Sequence, residues 1–234
     1  MSEPSAAAYS GAFPLAADAE VAARTQFITR TYTHLAGAVL GFVFLEAMLL
    51  HLPGIERMVA TMTQGYGWLI VLGAFMLVSW IAEHWARSAT SIGVQYAGLC
   101  TYVAAEAVIF LPLLWIASVA GGAGVIPTAA FITLFLFLGL TAIVFITRKD
   151  FSFMRGALYL AGLAALGFIL CSLIFSFSLG MAFTVLMIAL AAGYVLYDTS
   201  NVLHHYHTNQ HVAASLALFA AVALMFWYVL RLVW

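Results

Sequence analysis

The chain has 234 residues, of which 65% are hydrophobic and only 7% are charged, with a formal net charge of −1. Soluble domains are about 45–50% apolar and about 25% charged, so this composition excludes a water-soluble globule, and it also excludes disorder, which requires high polarity. The charge balance provides no basic surface for nucleic acid. Because about 20 apolar residues cross a bilayer as a helix, we predict an all-α integral membrane protein with the lipid bilayer as its main partner.

The N-terminal segment is small and acidic, and we predict a flexible cytoplasmic tail over residues 1–26, ahead of a membrane domain over residues 27–234. The segment lacks the basic start, the apolar core and the cleavage site of a signal peptide. We therefore expect the first membrane helix to serve as an uncleaved targeting signal.

Seven apolar segments follow this tail, and each is long enough to cross a bilayer as a helix. They cover about residues 32–50, 67–82, 93–117, 128–146, 154–175, 181–203 and 212–234. None has the alternation of polar and apolar residues that is typical of a membrane β-barrel. We number these segments span one to span seven and predict a bundle of seven transmembrane helices.

The distribution of Lys and Arg predicts the orientation, because cytoplasmic loops carry an excess of both. The tail and the loops between spans two and three and between spans four and five share six basic residues: Arg24, Arg30, Arg87, Arg148, Lys149 and Arg155. The opposite side has only Arg57 and Arg231. We therefore predict a cytoplasmic N-terminus and, with an odd number of spans, an external C-terminus.

Acidic side chains inside the spans are candidate functional groups, because a charge in lipid is costly unless it is paired or hydrated. Glu106 lies near the middle of span three, and Glu46 lies four residues before the end of span one. Each is interpreted either as part of a proton-sensitive ion pathway or as a neutral, hydrogen-bonded packing group. Glu83, at the end of span two, is interpreted as a solvated or ion-paired residue at the membrane boundary.

Asp198 lies in the cytoplasmic third of span six, among the hydroxyl and amide side chains of residues 197–201. Partial burial favours the neutral carboxyl group and a nearby arginine favours the charged one, so opposing influences of this kind can produce a proton-controlled switch. The alternative is an acid at a helix end that pairs with Arg148, Lys149 or Arg155 across the cytoplasmic face.

Four histidines occupy the loop between spans six and seven: His204, His205, His207 and His211. Histidine titrates near neutral pH and binds metals. No Cys or acid lies at ligand spacing from these four, so a pH-responsive or incidental cluster in an exposed loop is favoured over a metal site.

Neither catalysis nor a cofactor is predicted. The dipeptide Tyr197-Asp198 is similar to the first motif of aspartyl intramembrane proteases, but span seven contains no Asp to complete the catalytic pair. A retinal protein needs a lysine inside the membrane, and Lys149, the only lysine, lies in a loop. The helix-end histidines His34 and His84 do not suggest a bis-histidine haem site.

Two stretches of the chain resemble the Bax inhibitor-1 family of transmembrane proteins. One is the loop at residues 147–153, whose sequence Thr-Arg-Lys-Asp-Phe-Ser-Phe contains Arg148, Lys149 and Asp150. The other contains Tyr197, Asp198 and Thr199, continues through Thr208-Asn209 into span seven, and is similar to the bacterial YccA-like branch. The resemblance covers roughly residues 27–234 and implies a seven-helix protein in the inner (plasma) membrane of a bacterium.

The resemblance implies two alternative functions. Family members are described as pH-sensitive calcium leak channels or as inhibitory partners of other membrane proteins, which for the YccA-like branch is a membrane-anchored ATP-dependent protease. In the leak-channel description, an acid that matches Asp198 pairs with a second acid in span seven, where this chain has Phe219. Arg87 roughly matches an arginine that pairs with the span-six acid. We therefore expect an Asp198–Arg87 pair, with Glu106 and Glu46 as further acidic groups in a pathway for Ca²⁺ or another cation.

Overall fold

The computed structural model describes residues 13–88, 91–122 and 124–234, and these residues form α-helices joined by short connections. The α-helices are α1 Val21–Leu50, α2 Ile55–Thr63, α3 Gly67–Ala86, α4 Ile92–Ala120, α5 Val125–Thr147, α6 Arg155–Phe175, α7 Met181–His204 and α8 His211–Val233. A single-turn 3-10 helix, Ser152–Met154, leads into α6.

Seven helices in this part of the chain are long and apolar enough to cross a membrane, which confirms the predicted all-α, seven-span protein. Spans one to seven correspond to α1 and to α3 through α8. The most apolar windows of α4 and α8 are 56% and 50% buried, whereas those of the other five spans are 11–28% buried. Spans three and seven are therefore the helices most enclosed by protein. The orientation of the termini stays a prediction.

The chain divides into two compact units whose boundaries cut through three of the helices. The first unit contains Met1–Leu111 and Val202–Phe219, and the second contains Pro112–Asn201 and Ala220–Trp234. Helix α4 passes from the first unit to the second at Pro112, a residue that lacks the backbone N–H donor.

Helix α1 begins at Val21 rather than near residue 32, where span one was predicted to begin. Its buried residues recur every three or four positions: Phe27, Thr31, Leu35, Ala38, Phe42 and Glu46. This periodicity places one continuous stripe of the helix against the rest of the chain. The first turns were missed because their outward face is polar, and hydropathy alone detects only the lipid-facing part of the helix.

Residues 13–20, which we call the N-terminal strap, pack against the loop between α7 and α8. The backbone N–H of Ala16 donates to the Tyr206 carbonyl at 2.8 Å, and that of Thr208 donates to the Pro14 carbonyl at 3.1 Å. These reciprocal bonds are those of an antiparallel pair of strands. The strap is therefore part of the folded structure, although it belongs to the segment predicted as a flexible tail. The start of that segment, before the strap, lies outside the described residues, and the division into tail and membrane domain stays a prediction.

Helix α2, which the sequence analysis did not predict, connects spans one and two. It is nine residues long and therefore too short to cross a bilayer. Gly54 precedes it with φ +84°, a conformation that glycine adopts without steric cost. The helix buries Val59 and exposes Glu56 and Arg57, so it is amphipathic.

Candidate functional site

The two acids that the sequence analysis placed inside spans of the first unit are both buried. Glu46 of α1 is 4% exposed and Glu106 of α4 is 5% exposed. An ionised carboxylate in such surroundings is costly unless a cation, a hydrogen-bond donor or water compensates it. The two residues differ in whether the protein itself supplies such a partner.

Glu46 has no hydrogen-bond partner for either carboxyl oxygen among the residues that the structure describes. It is the last member of the buried stripe of α1, one helical turn after Phe42. Buried polar atoms in native proteins are nearly always paired. A buried carboxyl group whose two oxygens are both unpaired is thus a group that can take up a proton or a cation.

Glu106, in contrast, is hydrogen-bonded to the side chain of Tyr102, which lies one turn earlier on α4. The phenolic O–H is the donor and the carboxyl group is the acceptor. This bond leaves three further lone-pair sites on the carboxylate for other partners. Glu106 is therefore buried and oriented by Tyr102, an arrangement that fits both interpretations given to it, the ion pathway and the hydrogen-bonded packing group.

Four aromatic rings from α1, α4 and α8 form a cluster that includes Tyr102, the hydrogen-bond partner of Glu106. The Phe42 ring lies 5.1 Å from Phe110 and 6.1 Å from Phe219, measured between ring centroids, and both contacts are edge-to-face. Tyr102 meets Phe219 edge-to-face at 6.2 Å. Aromatic pairs in this geometry are worth about 0.5–1.5 kcal/mol beyond the area that they bury. The cluster therefore fixes the three helices around Glu106.

Phe219, which occupies the position where the resemblance implied a second acid, is 2% exposed and belongs to this cluster. A phenyl ring neither titrates nor binds a hard cation. Among the described residues of the first unit, the buried carboxyl groups are instead those of spans one and three, at Glu46 and Glu106.

Asp198 is half-buried on α7 and interacts electrostatically with Tyr194, one turn earlier on the same helix. The Tyr194 hydroxyl donates to the Leu158 carbonyl of α6 at 3.0 Å. This bond attaches α7 to α6 next to Asp198. The side of α7 that carries Asp198 is thus held within the second unit.

Arg87 and Glu83 lie together at the end of α3, in the first unit. Glu83 is exposed and interacts electrostatically with Arg87, four residues later. This agrees with the interpretation of Glu83 as a solvated or ion-paired boundary residue. The Asp198–Arg87 pair, whose members belong to different units, stays a prediction.

The two stretches that carry the family resemblance meet in the second unit. The backbone N–H of Phe151 donates to Ser200 Oγ at 2.9 Å, and Ser200 Oγ lies 3.4 Å from the Lys149 carbonyl. Asp150 Oδ1 accepts the N–H of Ser152 at 2.8 Å, which closes a tight turn. Span six therefore holds the loop between spans four and five in a defined conformation.

The other motif residues border this contact. Arg148 ends α5 in the left-handed region, with φ +50°, and donates its N–H to the Val144 carbonyl. Thr199 is fully buried, and its hydroxyl has no hydrogen-bond partner among the described residues. Tyr197 is half-buried. These placements favour a structural role for the loop motif.

The four histidines do not all lie in an exposed loop, and in this respect the prediction was wrong. His205 is exposed, but His211 is 6% exposed, because α8 begins there and packs against α1. Its ring lies 5.0 Å from that of His34, between centroids. The signal in the sequence was that both histidines lie near predicted span ends on the same side of the membrane.

No group of three or more His, Cys, Asp or Glu side chains that could hold a metal ion occurs in the described part of the chain. A cavity of about 490 Å³ opens between α3 and α4, in the first unit. Its lining is apolar apart from Thr101, so its side chains offer a cation a single hydroxyl oxygen and no carboxylate.

Comparison with known proteins agrees with the two motifs. The family described as "Inhibitor of apoptosis-promoting Bax1" matches residues 24–233. The chain is 38% identical over 102 residues to "Bax inhibitor 1" of Schizosaccharomyces pombe, and 33% identical over 106 residues to an uncharacterized protein of Pseudomonas aeruginosa. These stretches are 42% and 45% of this chain, and 37% and 47% of the two relatives. The matched region thus spans less than half the length of either relative.

Proposed function

The chain belongs to the Bax inhibitor-1 family, and from this premise we propose that it forms a pH-sensitive pathway through which Ca²⁺ or another cation leaks across the inner membrane of a bacterium. The observation that carries the proposal is the pair of buried acids, Glu46 and Glu106, inside two spans of one compact unit. Among the described residues, neither acid has a basic partner, and Glu46 has no hydrogen-bond partner.

The chemistry of the carboxyl group links cation passage to pH. Ca²⁺ is a hard cation that prefers oxygen ligands, and a deprotonated carboxylate is the strongest such ligand that a protein side chain offers. A proton and a cation compete for the same oxygens, so protonation removes the attraction for the cation. We propose that Asp198 and Arg87 add a second level of control, with their ion pair restraining α7 until Asp198 is protonated.

The experiment is Ca²⁺ uptake by liposomes that contain the purified protein, with Glu46→Gln and Glu106→Gln compared with wild type. Glutamine keeps the size of each side chain and removes its negative charge, so each variant should lower the uptake rate by about tenfold, equivalent to about 1.4 kcal/mol. Glu56→Gln is the matched control, because Glu56 is exposed on the short helix α2. Uptake equal to wild type in both buried-site variants contradicts the proposal.

The alternative function is a non-transporting regulator of a membrane-anchored protease or another membrane partner. The observation that favours it is the outward face of span five, whose most apolar window is only 11% buried. Gly156 and Gly167 lie on this face, and a Cβ at either would meet nothing within 4 Å. Small residues on a lipid-facing helix allow another helix to approach closely. Under this alternative, Gly167→Leu changes degradation of the partner protease's substrates and leaves Ca²⁺ uptake unchanged.

A further inference from the structure

The N-terminal strap is held by side chains as well as by its backbone pairing. Nδ1 of His207, in the loop between α7 and α8, lies 2.8 Å from the Phe13 carbonyl and donates to it. The Arg24 guanidinium, on the first turn of α1, donates to the carbonyls of Ala16 and Ala17. The strap therefore lies between the loop and the beginning of α1, and Ala16 is fully buried there.

The same loop is attached to α1 at the beginning of α8. The Ser215 hydroxyl lies 2.8 Å from the Thr31 carbonyl of α1 and 2.6 Å from the His211 carbonyl of its own helix. The Gln210 side chain accepts the backbone N–H of His207 at 3.1 Å. The strap, the loop and the first turn of α8 thus form one connected structure around the N-terminal half of α1.

Two histidines face each other at the centre of this structure. His34 of α1 and His211 of α8 are 5.0 Å apart between ring centroids. Both nitrogens of His34 are engaged, Nδ1 with the Arg30 carbonyl at 2.6 Å and Nε2 with the Tyr96 hydroxyl at 2.8 Å. Nδ1 of His211 is buried and has no hydrogen-bond partner among the described residues.

In the described part of the chain, the charged and aromatic groups that interact with His211 are basic or neutral. They are His34 and Arg30 of α1 and the Tyr96 ring of α4, whose centroid is 6.5 Å away. In the neutral state, His34 donates through Nδ1 and accepts from the Tyr96 hydroxyl through Nε2, so its bonds are complete. Proton uptake by the pair places two imidazolium ions beside a guanidinium, and none of these three facing groups is an acid that could compensate.

We propose that the His34–His211 pair is a proton-sensitive clasp, and that acid releases the N-terminal strap from the loop between α7 and α8. Once the first turn of α8 has separated from α1, a freed imidazole takes up a proton as histidine ordinarily does, so acid favours the released state. A displacement of His211 would act on the strap over a short distance. His211 begins α8 and lies one turn after His207, the residue that donates a hydrogen bond to the strap. When repulsion displaces the first turn of α8 from α1, the loop moves with it and the strap loses its hydrogen bonds.

The experiment is hydrogen–deuterium exchange of the full chain in lipid nanodiscs at about pH 7.5 and about pH 5.5, with rates corrected for intrinsic pH dependence. The reporters are peptides containing the amides of Ala16 and Thr208, which donate in the strap pairing. In wild type, acid should accelerate their corrected exchange by about tenfold or more. In His34→Gln and in His211→Gln, each of which removes one titrating group, exchange should stay slow at both pH values.

Two further variants distinguish protonation of the histidine pair from a general weakening of the strap's hydrogen bonds. His84→Gln, on an exposed histidine at the end of α3, should behave like wild type. His207→Ala removes the bond to Phe13, so exchange should be fast at both pH values. Corrected exchange that is equal at both pH values in wild type overturns the proposal, and so does an acid response that persists in both His34→Gln and His211→Gln. Because the readout is exchange and not cation flux, its failure leaves the proposed cation leak unaffected.

Discussion

Phe219 of α8 lies edge-to-face against Tyr102 of α4, with 6.2 Å between the ring centroids, and Tyr102 in turn is hydrogen-bonded to Glu106. The position where the family resemblance implied an acid therefore carries a ring that positions the partner of another acid. Span seven therefore has an aromatic ring instead of a carboxyl group at this position, and the acid that is bonded to Tyr102, Glu106, belongs to span three. The buried acids among the described residues of this unit lie in spans one and three.

The aromatic cluster should contribute measurably to stability. Phe219→Ala leaves a cavity among Phe42, Tyr102 and the neighbouring helices, and we expect a loss of about 3 kcal/mol in the free energy of unfolding. The measurement is reversible unfolding in detergent, followed by tryptophan fluorescence. Phe135→Ala is the matched control, because Phe135 is 78% exposed, and its effect should be close to zero. Equal effects of the two substitutions would contradict the role given to Phe219.

The hydrogen bond between Tyr102 and Glu106 should appear as a coupling energy. Tyr102→Phe keeps the ring contact with Phe219 but leaves the buried carboxyl group without this donor, at a cost of about 1–3 kcal/mol. Combined with Glu106→Gln, it forms a double-mutant cycle. We expect a coupling of at least about 0.5 kcal/mol, measured by the same unfolding assay. Strict additivity of the two substitutions would show that the bond makes no contribution.

The contact between the two motif stretches should restrain the loop that precedes α6. Ser200→Ala removes the acceptor of the Phe151 N–H, and we expect a loss of about 1–2 kcal/mol in local stability. Faster cleavage by trypsin after Arg148 and Lys149 reports this change. Ser118→Ala, which removes only a local bond to the Trp115 carbonyl, is the control and should leave cleavage unchanged. Resistance of the Ser200 variant equal to wild type would argue against the restraint.

Gly98 allows α3 and α4 to approach closely. A Cβ at this position would lie 2.5 Å from the Ala82 carbonyl oxygen and 2.6 Å from the Ala86 nitrogen, both backbone atoms that cannot rotate away. Gly98→Ala should therefore force the helices apart and destabilise the protein by about 3 kcal/mol. Gly139→Ala, where a Cβ meets nothing within 4 Å, should be neutral or stabilising. Thermal unfolding of both variants makes the comparison, and a stable Gly98 variant would refute the close approach.

Much of the fold could be predicted from the sequence, because seven long apolar segments have only one stable outcome in a bilayer. The elements that hydropathy missed are those that are only half apolar. The short helix α2 and the first turns of α1 expose a polar face, so their average hydropathy resembles that of a loop. Every hydrogen bond described for the N-terminal strap is made by its backbone atoms, so its own side chains leave no pattern to read.

The individual residues of the candidate site could be predicted from the sequence, but the contacts between them could not. Glu46 and Glu106 stood out because an acid in a span is costly. The contacts among Phe42, Tyr102 and Phe219 depend on how each helix is rotated, and a helix that is apolar all round carries no sequence signal for rotation. The burial of His211 was missed for a related reason. The sequence shows that the loop is rich in histidine and therefore polar, but it does not show that the last of these histidines packs against α1.

The most direct test of the proposed cation leak is Ca²⁺ uptake by liposomes containing only the purified wild-type protein, measured across a series of pH values. If buried carboxylates carry the cation, uptake should clearly exceed that of protein-free liposomes at the alkaline end of the series, and should fall as a lower pH protonates them. Uptake equal to that of protein-free liposomes at every pH would contradict the account and would favour a regulator that transports nothing.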